Sequence, residues 1–77
     1  MLRYYFDVQD DFVFTRDRDG ETCVDREAVM ERAAVLLSDI AADVPLVRGQ
    51  KELKTAVRNE TGNVVYIAAL NFAGRWL

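Results

Sequence analysis

Histidine is absent from the 77-residue chain, cysteine occurs once (Cys23) and proline once (Pro45). A lone cysteine excludes a disulfide within the chain, and without histidine no Cys/His set can hold zinc. Nor is there an imidazole to act as base beside a hydroxyl nucleophile. Long apolar runs are missing as well. The longest, Val64 to Leu70, falls far short of the ~20 residues a membrane helix requires. The opening Met1-Leu2-Arg3-Tyr4-Tyr5-Phe6-Asp7 meets charge too early for a secretion signal. With the unpaired cysteine, these absences predict a cytoplasmic protein that does not touch a membrane. So short a chain predicts one domain over residues 1–77, burying only roughly 60% of its unfolded surface. With disulfides and zinc excluded, a partner subunit remains as the usual supplement to such a core.

Positive charge is also scarce. Net charge is −3 and the isoelectric point about 4.8, which argues against a nucleic-acid partner, since phosphate binding needs basic surface. The charge is uneven. Residues 1–43 hold five basic and eleven acidic side chains (−6), and residues 44–77 hold five basic and two acidic (+3). The two halves are expected to attract each other within one fold, the alternative being attraction between subunits packed head to tail.

Leu2, Tyr4, Phe6 and Val8 alternate with Arg3, Tyr5 and Asp7, the period of a strand. Gln9-Asp10-Asp11 reads as a turn and Phe12–Thr15 as a second strand, followed by a charged loop from Arg16 to Gly20. Asp25 is a helix N-cap. The helix it opens extends to about Asp43, with Val29, Ala33, Leu36, Leu37, Ile40 and Val44 on one stripe, and Pro45 stops it. Residues 52–59 alternate as a third strand, and Glu60-Thr61-Gly62-Asn63 supplies a turn. Val64–Phe72 is a last strand, apolar on both sides, which places it in the middle of a sheet. The expected fold class is α+β: a ββαββ chain with one helix on a four-stranded, mostly antiparallel sheet, in spatial order 2-1-4-3.

One helix covers one sheet face. The other should carry Arg3, Tyr5, Lys54, Ala56, Arg58, Val65, Ile67, Ala69 and Asn71, aliphatic and aromatic groups ringed by charge. Proteins hide such surface in interfaces. The candidate interface residues are therefore Tyr5, Val65, Ile67, Ala69 and the terminal Trp76, and the expected assembly is a symmetric homodimer.

Other chemistry is poorly provided for. Asp17-Arg18-Asp19-Gly20 is calcium-loop-like, but with Gly20 at the sixth position the first falls on Thr15 and the twelfth on Arg26, where acids are needed. Ser38 sits mid-helix. Cys23 lies just before the helix and reads as a small buried hydrophobe. Asp10–Asp11 and Asp17–Asp19 are loop acids without a cleft to shift them. Tyr5 and Tyr66 could stack bases, but the glycine-rich aromatic signature of RNA-binding sheets is missing. No catalytic residue, cofactor or metal site is expected, and the chain reads as non-enzymatic.

Arg3-Tyr4-Tyr5-Phe6-Asp7-Val8, the loop Asp17-Arg18-Asp19-Gly20-Glu21 before Asp25 and Ala28, and Val57-Arg58-Asn59-Glu60-Thr61-Gly62 before Val64-Val65 resemble a bacterial family of short proteins of unknown function, found mainly in alphaproteobacteria. Leu2 stands where proline is common there. The resemblance implies a cytoplasmic bacterial protein without assigned catalytic residues. The tyrosine-rich first strand, hairpin and acid-capped helix are also similar to the N-terminal part of HicB-type antitoxins. That similarity implies a protein partner, although their proline- and glycine-containing loop and DNA-binding segment are missing. The expected function is a homodimeric interaction or regulatory module; the alternatives are an antitoxin-like partner-binding domain and, after it, a small-ligand or nucleic-acid-binding module.

Overall fold

Alternation at the start of the chain becomes strand β1 (Leu2–Gln9), which turns Tyr4, Phe6 and Val8 toward the core. In the computed structural model, which describes all 77 residues, β1 is followed by β2 (Phe14–Thr15) and β3 (Glu21–Cys23). Helix α1 (Arg26–Ala41) comes next, then β4 (Gln50–Arg58) and β5 (Val64–Ala73).

The fold class is α+β as expected, with five strands rather than four. The additional strand, β3, pairs with Leu2–Tyr4 of β1, on the same edge that β2 takes at Val8–Gln9. Three residues behind a charged loop carry too little periodicity to announce a strand. The second strand is shorter than its apolar run. Asp10 Oδ1 accepts the N–H groups of Phe12 and Val13 at 2.7 and 2.8 Å, which holds both in the turn.

Strand order is β2-β1-β4-β5. This corrects the expected order: the third long strand, β4, lies beside β1, and the apolar last strand stands at the edge. Antiparallel pairing of β1 with β4 runs from Tyr5↔Arg58 to Gln9↔Lys54, and of β4 with β5 from Gln50↔Ala73 to Arg58↔Val64. Leu53, Thr55 and Val57 of β4 are wholly buried beneath the helix. The central position goes to β4 because its outward Arg58 finds acidic partners only next to β1.

The N-cap is as expected, with Asp25 accepting Ala28 N–H at 2.8 Å. The helix ends two residues sooner than the sequence suggested, and its buried stripe narrows to Val29, Ala33 and Leu37, with Leu36 and Ile40 half-buried. No basic residue occupies its last turn. Lys51 supplies the missing charge from β4, donating to the carbonyls of Ala41 (2.7 Å) and Val44 (3.2 Å).

Length explains what remains uncovered. A sixteen-residue helix is about 24 Å long, whereas a ten-residue strand runs about 34 Å. Leu70 and Phe72 of β5, on the helix side of the sheet, therefore project past the helix and stay 38% and 52% exposed. No helix is long and apolar enough to cross a membrane.

Candidate interaction surface

On the sheet face away from the helix, the pleat lines up Tyr5 and Asp7 of β1, Lys54, Ala56 and Arg58 of β4, and Val65, Ile67 and Ala69 of β5. The expected face assignment holds, but its residues fall into two zones of different character.

The first zone is polar and closed. Asp7 is buried although it points away from the helix. Arg58 Nε donates to Asp7 Oδ2 at 2.7 Å, and Arg58 Nη2 donates to Asp7 Oδ1 at 3.0 Å and to the Asp17 carbonyl at 2.8 Å. The same guanidinium lies 5.0 Å from the Tyr5 ring centroid. Asp17 completes the arrangement. Between β2 and β3 the edge of β1 has no strand partner, and there Phe6 N–H donates to Asp17 Oδ2 at 3.0 Å. Asp17 Oδ1 accepts Asp19 and Gly20 N–H at 3.1 Å each, while Asp17 N–H donates to Asp7 Oδ1 at 2.9 Å. The Asp17–Gly20 motif thus substitutes for a missing piece of strand. A calcium role would need those oxygens free. Gly20 has φ of 71°, and a Cβ there would lie 2.8 Å from the Tyr5 ring and 2.9 Å from the Tyr4 carbonyl, so the loop closes over Tyr5 only with glycine.

The electrostatics follow the geometry. The Arg58 hydrogen bonds outweigh the cost of burial and hold the Asp7 carboxyl below its ordinary range. Burial opposes ionisation at Asp17, but the N–H groups of Phe6, Gly20 and Asp19 together overcome it and bring that carboxyl down too. Asp7 in return raises the Arg58 guanidinium. The acidic half of the chain therefore meets the basic half inside one molecule.

The second zone is apolar and open. Val65 and Ile67 are 45% and 68% exposed and Ala69 is exposed beside them. Strand β5 contains no charged residue. Trp76 lies beyond the strand and is 99% exposed. Of the candidate interface residues, then, Val65, Ile67 and Ala69 share one strand and Trp76 follows them. Tyr5 is separated from them by β4 and lies half-buried beneath Arg58 and the Gly20 loop.

A groove of about 740 Å³ separates the 10–21 loop from the helix, with Arg16, Arg18, Asp19, Glu21 and Arg32 on its walls. Two of its charges engage each other, Arg32 Nε lying 2.6 Å from Glu21 Oε2, and Arg3 donates to the backbone carbonyl of Asp19 at 2.6 Å. No group of three or more His, Cys, Asp or Glu side chains is placed to bind a metal ion. Cys23 is buried in the core, where burial pushes its thiol up. It should react with a thiol reagent far more slowly in the folded protein than in urea, measurable by absorbance; equal rates would contradict its burial.

Sequence reasoning did not find the Asp7–Arg58–Asp17 cluster. The only signal was an acid in β1 and a base at the end of β4, each among other charged residues of its strand, and pairing them required the register of β1 on β4. A comparison with known families matches residues 3–71 to DUF6894, a domain of unknown function, and since this is most of the chain the protein belongs to that family. No curated protein and no solved structure matches significantly.

Proposed function

We propose that this member of the DUF6894 family is a non-enzymatic interaction module of the bacterial cytoplasm, acting as a homodimer with β5 as its contact element. One observation carries the reading: a ten-residue strand without charge stands at the edge of the sheet with all but Tyr66 and Ala68 exposed. Native proteins blunt such edges with charge, proline or a covering element. Here none is provided within the chain. The carboxyls of Asp7 and Asp17 support the non-enzymatic reading, because both are held below their ordinary range by structural hydrogen bonds. A general acid or base working near neutrality is shifted the other way. The acidic balance of the chain argues against a nucleic-acid partner.

Native mass spectrometry tests the proposal. The wild-type chain should show twice its 8.8 kDa mass, and Ile67→Glu, which places charge in the apolar row, should return it to the single mass with unchanged circular dichroism. A wild-type monomer overturns self-association. Retention of a foreign chain instead overturns it in favour of the antitoxin-like alternative.

A further inference from the structure

We infer that the cavity where the start of β1, the first turn of α1 and the β4–β5 turn converge binds a small apolar monocarboxylate, an acid with an aliphatic or arylalkyl body. Such a site does not require the self-association proposed above.

The cavity holds about 500 Å³, and small-molecule sites span about 300–1,000 Å³. Its walls come from three elements. Buried Val29 and half-buried Tyr4 and Tyr66 supply the deeper apolar surface, and the exposed Leu2 and Met30 stand at the rim. A bulge in β5 adds to the wall. The register of β4 on β5 passes from Val57↔Tyr66 to Arg58↔Val64, which leaves Val65 as the extra residue. Two consecutive side chains of the strand, Val65 and Tyr66, therefore border one cavity.

The polar groups of the site select the ligand. Acids outnumber bases thirteen to ten in the chain, yet no carboxylate borders this cavity, and its one charged residue is Arg26. The ion pairs of the molecule use Arg32, Lys54 and Arg58, so the Arg26 guanidinium is unmatched. The other polar residue is Asn59, just past β4. Its Oδ1 is committed to the turn, accepting Thr61 N–H at 3.1 Å, Thr61 Oγ1–H at 2.8 Å and Asn63 N–H at 3.0 Å. That leaves the Nδ2 amide as a free donor. A carboxylate accepts from both groups and balances the single cation, while its apolar body lies against Tyr4, Val29 and Tyr66. An amine finds no anion here. A phosphate dianion would leave half its charge unmatched.

Nuclear magnetic resonance on the isotope-labelled full chain tests the site, with octanoate and phenylbutyrate as probes of an aliphatic and an aromatic body. At least one acid should shift the Tyr4, Met30 and Tyr66 amides and the Asn59 side-chain amide together, with Kd of about 1 mM or tighter for a ligand of this size. Octylamine, the same tail with the opposite charge, should leave those resonances in place. Arg26→Gln, an exposed position, should weaken binding about tenfold. Arg18→Gln, which removes another exposed arginine without an ion pair, should bind as wild type does. Asn59→Asp keeps the acceptor that the turn needs but replaces the donor with negative charge, and should abolish binding with unchanged circular dichroism. The site is overturned if neither acid shifts these resonances well above that Kd, or if octylamine shifts them as strongly. Equal affinity in Arg26→Gln, or equal weakening in Arg18→Gln, overturns it as well, the second in favour of general charge attraction.

Discussion

Replacing Asp7 by alanine is expected to lower the thermal midpoint by roughly 10–20 °C, the equivalent of about 3 kcal/mol in a domain of this size. The side chain is 7% exposed and paired with Arg58 at 2.7 Å. Its loss leaves Arg58 Nε and the Asp17 N–H without their acceptor, while Arg58 Nη2 keeps only the Asp17 carbonyl, so the penalty includes stranded groups as well as lost bonds. Acid should produce a related effect. Asp7 and Asp17 are both held below the ordinary value of 3.8, so the unfolded chain takes up protons before the folded one does. Their stabilisation is complete above about pH 5 and drains away as pH falls through 3.8 toward the lower folded values. Thermal melts from pH 7 to 3 should show a plateau and then a decline, with Asp7→Asn starting lower and declining less steeply. A wild-type midpoint unchanged at pH 3 would mean that the cluster contributes nothing.

Leu53→Ala should cost about 3 kcal/mol, again a drop of more than 10 °C. Leu53 is wholly buried on the central strand, packed with Val8, Leu37 and Val44, and the helix above it cannot collapse into the space it leaves. Leu70, its partner across the ladder, is 38% exposed, and Leu70→Ala should cost less than half as much in the monomer. Denaturant titration of both variants gives the comparison directly. Equal losses would contradict the placement of β4 inside and β5 at the edge. The sequence ranked these strands the other way, because it judged each by its own apolar content. What decides a central place is whether the polar side chains of a strand find partners there, and Arg58 finds Asp7 and Asp17 only beside β1.

Much of the fold was legible along the chain because it depends on near neighbours. Asp25 caps the helix through an amide three residues on. Val29, Ala33 and Leu37 repeat at four-residue steps, and Leu53, Thr55 and Val57 at two, so each set identifies its own buried face. The division of the sheet into a helix side and an open side, with Val65, Ile67 and Ala69 on the open side, followed from the same periodicity. Tyr5 shows the limit of that reasoning. Its face was read correctly, but the loop that closes over it at Gly20 arrives from fifteen residues away.

The sequence by itself therefore determined the helix and its cap, the long strands and their two faces, the α+β class, and the lack of disulfide or histidine chemistry. These are local or compositional properties, carried by residues within a turn or two of one another. Tertiary structure alone decided the strand order, the short strand β3, the Asp7–Arg58–Asp17 cluster and the bare edge of β5. Each depends on which distant backbone lies alongside, and that choice is made by the partnering of buried charge and the length of the helix against the sheet.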